Sequence, residues 1–231
     1  MITQGWGWSI LQGSGVTLLL GILGMLLGNL LALPMAVLRW QRVLLVSSLI
    51  DGYSLLIRSV PGLLVVYLLF FGSVEAVDAI GAFFGFQETL RNAYAMIMGV
   101  VSIGLIACAY SIEVFRGALL AIPQGVIEAA KSLALPRSII YLKIIGPLML
   151  RNALPGMNNV WQMTLKDTSL VSVVGLAELM RLSSMAAGST RNPLLFYVIA
   201  GLVFLAITGV SQRLFSAAER LLNRGFGGVV Q

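Results

Sequence analysis

Two sets of residues stand out in a largely apolar chain, and neither can form a covalent catalyst. The first set is Glu113, Asn158, Asn159, Gln162, Asp167, Thr168 and Ser169, groups able to hydrogen-bond a polar solute or attract a cation. The second is Gly125, Glu128, Ala129, Ala130 and Ala134, one acid among small residues. The chain has no histidine and no Gly-x-Ser-x-Gly word, so its serines and threonines lack a base to activate them. A Walker A sequence is also missing, which removes the usual way of binding ATP. The single cysteine, Cys108, lies in an apolar run where a thiol acts mainly as a small hydrophobe, and without histidine a zinc site is not expected. No cofactor is expected in this chain. What remains is non-covalent work, namely recognition of a solute and docking of a partner.

The elements that position these residues follow from composition. With 231 residues, 58% hydrophobic, 10% charged and a mean hydropathy of +0.95, the chain matches a polytopic membrane protein of one domain. A net charge of +6 could suggest nucleic acid, but the basic residues are scattered among apolar blocks rather than gathered with aromatics on a polar face. Orientation in a bilayer explains them better.

Five spans are expected, at about residues 13–37, 53–73, 92–115, 144–165 and 192–213. The first is long enough for the roughly 30 Å hydrocarbon core. Arg39 and Arg42 follow it, the reverse of a signal peptide, and place the N-terminus outside. Gly21, Gly24 and Gly28 recur at helical spacing and mark a face packed closely on another helix. Asp51 is a candidate cap for the second span, Pro61 a bend within it, and Arg58 near its inner end a snorkelling residue or a substrate contact. Residues 74–91 read as an external loop with an acidic balance. Residues 92–112 are uncharged over 21 positions, about 31 Å of helix, and deliver Glu113 and Arg116 to the inner end. Two readings of Glu113 stand side by side: a local pair with Arg116, or a carboxylate facing the translocation cavity.

Between the third and fourth spans, residues 123–136 read as a short polar helix inside the cell, with Pro123 at its first turn and Lys131, Arg137 and Lys143 nearby. The fourth span carries Arg151, Asn152, Asn158, Asn159 and Gln162, too polar to face lipid, and Pro147, Pro155 and Gly156 should kink it. For its amides, interhelical hydrogen bonds compete with substrate contact. Residues 166–181 read as a re-entrant or broken helix, in which Asp167 is a cap paired with Lys166, a gate residue, or both. The last span ends on Arg213, Arg220 and Arg224, so the C-terminus is expected in the cytoplasm.

Glu128, Ala129 and Ala130, followed by Ala134, Ile144 and Pro147, resemble the EAA motif of permease subunits of bacterial ABC importers. Ala134 stands where that family has glycine and Gly146 where it has leucine, from which a less tight turn is expected. The words AYSIEVFRGALLAIPQG, RNALPGMNNVWQMTLKDTSLVSVVGLAEL and IRSVP are similar to the branch importing polar amino acids, and the general texture to its histidine, basic amino acid and opine subgroup. The resemblance implies an all-α, type I importer permease of five transmembrane helices in the bacterial inner membrane. It implies that the helix around Glu128 couples to a cytoplasmic ATPase dimer, which binds ATP and Mg. Ala129 and Ala130 would allow close approach, and the LKDTSL word would lie near the gate. A substrate-binding protein would deliver the solute, and a similar but distinct permease chain is favoured over a homodimer as partner. An ion-coupled secondary transporter and a non-transporting scaffold are the alternatives. The first lacks an evident repeat, and the second leaves the polar fourth span unexplained.

Overall fold

Glycines draw together the two longest apolar helices, α1 (Trp6–Trp40) and α5 (Gln87–Leu120), in the computed structural model, which describes residues 5–223. A Cβ on Gly28 would fall 2.8 Å from the Gly104 carbonyl oxygen and 2.9 Å from the Cys108 amide nitrogen. Gly24 approaches Ile103 as closely. Where lipid supplies no hydrophobic force between helices, such close approach is what gives them dispersion contacts. Gly21 faces Trp161 instead, so the glycine face of α1 meets two helices. Cys108 is fully buried in this crossing.

The remaining helices are α2 (Leu44–Ser59), α3 (Gly62–Gly72), α4 (Val74–Phe84), α6 (Gln124–Ser132), α7 (Arg137–Ile139), α8 (Gly146–Asp167), α9 (Leu179–Thr190) and α10 (Pro193–Asn223). A π-helical turn, Ile140–Ile145, joins α7 to α8, and a 3-10 segment, Thr168–Val174, extends α8. No strand occurs among the described residues. Three helices are long and apolar enough to cross a bilayer alone, and there are up to five spans if each of two bent pairs is one.

The second expected span differs most from expectation. Pro61 lacks an amide hydrogen and forces Val60 into extended backbone, so residues 53–73 are not one bent helix but the parts of two, α2 and α3, meeting at 106°. Asp51 is no cap, because α2 begins at Leu44 and carries it in its interior. Residues 74–91, expected as a loop, are mostly helical. Val74, Val77, Gly81 and Phe84 recur at helical spacing, and Gly85 in the left-handed region turns the chain into α5. Arg91 then reaches back to Asp78 at 3.1 Å.

The fourth span enters through the π turn, where the Gly146 amide donates to Tyr141, five residues back. Pro147 follows with no amide to offer, which suits the first turn of α8. α8 remains helical through Pro155 and Gly156 to Asp167. Gly156 admits Val114 of α5, whose Cγ1 would lie 2.7 Å from an added Cβ. The broken segment after Asp167 is as expected, with the α8 extension and α9 meeting at 53°. Arg224 lies outside the described residues.

Candidate functional site

The polar helix α6 is held at the C-terminal ends of α1 and α5 by a small apolar cluster. Ala130 is buried against Leu119, Ile122, Ile140 and Ile145, with Trp40 and Ile127 packed alongside. Gly125, Glu128 and Ala129 lie on the opposite side, exposed. Ala129 is therefore accessible, whereas Ala130, expected to allow close approach as well, is taken up by the chain's own core, because neighbouring helical residues lie about 100° apart.

The turn that ends α6 is tight. Leu135 donates to the Ala130 carbonyl at 3.3 Å and Ala134 to the Lys131 carbonyl at 2.9 Å, the pair of bonds that closes a helix over a left-handed residue. That residue is Ala134, at φ 50°, a conformation that alanine adopts at a cost of about 1–2 kcal/mol and glycine adopts freely. The expected slack turn is absent. Two backbone bonds and the packing of Leu135 beside Ala130 hold alanine in the glycine conformation.

Glu113 is not paired with Arg116 among the described residues, and it lines a cavity, the other of its two expected settings, with its carboxylate held by cations from other helices. Its Oε1 accepts from Arg39 Nη1 at 2.6 Å and meets Arg58 Nη1 at 3.2 Å, and Arg39 also pairs with Asp51. Arg58 lies over the Tyr110 ring, 5.8 Å from its centroid. Two acids and two guanidiniums thus balance in a cluster joining α1, α2 and α5, beside a cavity of about 540 Å³. The arginine from α1, its side chain 15% exposed, meets the acid where attraction is little screened by solvent. Pairing across 74 and 55 residues leaves no local spacing for sequence reasoning to find, although Arg39 and Arg58 both interrupt apolar stretches.

On α8, Gln162 Nε2 donates to Asn158 Oδ1 at 3.3 Å, while Gln162 Oε1 is buried without a hydrogen-bond partner among the described residues. Asn159 is exposed. Thr168 is buried and donates to the Leu165 carbonyl, and Ser169 donates to that of Lys166. Asp167 begins the 3-10 segment but its side chain makes no capping bond, so the cap reading fails. Thr168 lies against Gly21 and Glu113 against Arg39, which are 18 residues apart on α1. Even allowing for the length of the arginine, roughly 20 Å separates the two acidic positions, so they do not form one site.

A polar contact not foreseen joins α1 to the broken segment. Glu178 is fully buried, accepts from the amides of Met180 and Arg181 at 2.9 and 2.8 Å, and accepts from the Thr17 hydroxyl at 3.2 Å. The Thr17 oxygen in turn accepts from the Leu179 amide at 3.1 Å. The signal was an acid two residues before Met180 at the start of a helix, the N-cap position.

Comparison with known proteins agrees with this architecture. The nopaline transport system permease protein NocQ of Agrobacterium fabrum is 40% identical over 96% of this chain and 94% of its own. The octopine transport system permease protein OccQ of Rhizobium meliloti is 37% identical, over 96% and 93%. The histidine/lysine/arginine/ornithine transport system permease protein HisQ of Salmonella typhimurium is 36% identical, over 94% of each. Among solved structures, an amino acid ABC transporter with histidines superposes with a TM-score of 0.77 at 26% identity, over 93% of this chain and 94% of that one. The inward-facing MetNI methionine ABC transporter, at 16% identity and a TM-score of 0.78 over 96% and 99%, shares the fold. Residues 24–221 match one family throughout, and the chain belongs to it: the inner membrane components of binding-protein-dependent transport systems.

Proposed function

We propose that this chain is one membrane-spanning half of an ATP-driven importer of polar amino acids, of the basic or opine type, and that α6 is its point of coupling to a cytoplasmic ATPase. The observation that carries the reading is the attitude of α6: Ala130 anchors it, while Gly125, Glu128 and Ala129 face outward beyond the ends of the spans. An acid on a helix with small neighbours suits a groove lined by a basic partner. Ala134 fixes the turn that sets the helix's exit angle. ATP and Mg belong to the ATPase, whose dimer closes on nucleotide and draws α6 inward, so that the spans rock open toward a loaded binding protein outside.

The N-terminus is then external and α6 and the C-terminus cytoplasmic. A similar but distinct permease chain completes the pathway, because one such chain encloses none. Asn159, exposed on α8, and Gln162, with its buried unpartnered oxygen, are the groups we assign to the path. Asp167, Thr168 and Ser169 mark the adjoining gate. Glu113 serves the path by holding the arginine cluster, since its charge is already balanced.

The test is uptake by the reconstituted assembly with Glu128→Arg and Ala129→Trp. Both variants should insert and pair with the second permease, yet lose transport and ATPase retention. Normal uptake by both, or retention of the ATPase at wild-type stoichiometry with full transport, would sink the coupling role of α6. Mass spectrometry of a small molecule that copurifies with the assembly decides between basic amino acid and opine.

A further inference from the structure

Beside α6 a groove of about 670 Å³ runs between the end of α1 and the π turn, sharing Trp40, Ile127 and Lys131 with a smaller pocket that Glu128 lines. Trp40, Lys131, Arg137 and Tyr141 form its rim, and its floor is apolar, built on Ile140 and Ile145, both buried. No carboxylate lines it, and neither Lys131 nor Arg137 has an ion pair among the described residues. Gln41 Nε2 donates to the Tyr141 oxygen at 3.2 Å, which leaves the phenolic hydrogen to be given elsewhere. Leu142, 77% exposed, carries the apolar surface outward from the neighbouring turn.

We propose that this groove holds an anionic phospholipid, with its phosphate between Lys131, Arg137 and the Tyr141 hydroxyl and its acyl chains over the isoleucine floor. Three observations select that occupant. Its two cations have no ion pair among the described residues and no acid lines it, so it suits a negative headgroup. It sits where the apolar run of α1 ends on Trp40, the level at which aromatic side chains mark the edge of a bilayer. Its apolar floor matches the tails of the same molecule, which a free phosphate lacks. Lys131 belongs to α6 and Arg137 to the turn after it, so a bound headgroup would bridge the two sides of the Ala134 turn. The lipid would thus bear on the angle of α6 itself.

The experiment uses the whole transporter in nanodiscs of phosphatidylcholine containing a photoactivatable phosphatidylglycerol, with cross-links mapped by peptide mass spectrometry. Labelling should concentrate on the peptides carrying Trp40 and Tyr141. In Lys131→Gln/Arg137→Gln it should fall there roughly tenfold or more, as loss of two interfacial cations dictates. Photoactivatable phosphatidylcholine should show no such concentration. Equal labelling by both lipids, or unchanged labelling in the double variant, overturns the proposal. Suppression by millimolar inorganic phosphate assigns the groove to a soluble anion, and labelling seen only after the ATPase is stripped off assigns it to that protein; either result overturns it.

Discussion

Arg39 and Glu113 meet at 2.6 Å across the contact of α1 with α5, and the same carboxylate oxygen faces Arg58 of α2. One acid therefore ties three helices at a point where Asp51 supplies the balancing charge. Removing Glu113 leaves two guanidiniums facing each other with one acid. Glu113→Gln should destabilise the assembly by about 1–2 kcal/mol, since the pair is partly screened by solvent. Arg39→Gln should do more harm, because it strands two carboxylates beside a less buried arginine. Thermal melting of the purified assembly checks the order. If Arg39→Gln melts with the wild type while Arg116→Gln melts lower, the acid is held by the local pair instead.

Glu178 and Thr17 make a second tie, deeper and drier than the first. The carboxylate caps two amides of α9 and the hydroxyl satisfies a third, so each substitution orphans a different group. Glu178→Ala loses the cap and should cost about 2–3 kcal/mol, whereas Glu178→Gln keeps an acceptor oxygen and should cost less. Thr17→Val strands the Leu179 amide, at about 1–2 kcal/mol. Hydrogen exchange at Leu179, Met180 and Arg181 separates these cases. Protection unchanged in Glu178→Ala would show that the cap contributes nothing.

Gly28 tests how tightly α1 and α5 are pressed. In Gly28→Ala the new methyl would lie 2.8 Å from backbone oxygen, which cannot swing aside as a side chain can, so the helices must separate. Overpacking of this kind costs about 1–3 kcal/mol. Gly15→Ala, on the same helix with nothing within 4 Å, is the matched control and should gain slightly from better helix propensity. Equal folded yields for the two variants would mean the crossing is loose.

Much of this arrangement was legible in the sequence because it depends on local pattern. The glycine face of α1, the polar interval of α6 and the broken segment after Asp167 each declare themselves within a few residues. Partners chosen by packing do not. Arg39 and Glu113 lie 74 positions apart, and nothing in the Glu113 to Arg116 spacing shows that a cation will arrive from another helix. The charges of residues 74–91 obscured an apolar helical repeat, and Pro61 was read as a bend where it makes an elbow. Ala130 illustrates a narrower limit: motif spacing identifies the helix, but only the packing tells which alanine faces inward.

Ala134 is the position where that distinction can be put to a sharp test. Its φ of 50° is held by two backbone bonds across the end of α6, so the strain is local to one residue and relieved by removing one methyl. Ala134→Gly should stabilise the turn by up to about 1 kcal/mol, the left-handed penalty of alanine less the extra chain entropy that glycine loses on folding. Ala134→Val should destabilise by more than that amount, because a β-branched side chain is a steric outlier at positive φ. Hydrogen exchange at Leu135, whose amide closes the turn, reports both changes without reference to transport. Slower exchange in the glycine variant, with faster exchange in the valine variant, is the expected result. If instead glycine speeds exchange, the methyl of Ala134 is supporting the turn rather than straining it, and the family's preference for glycine there needs another cause.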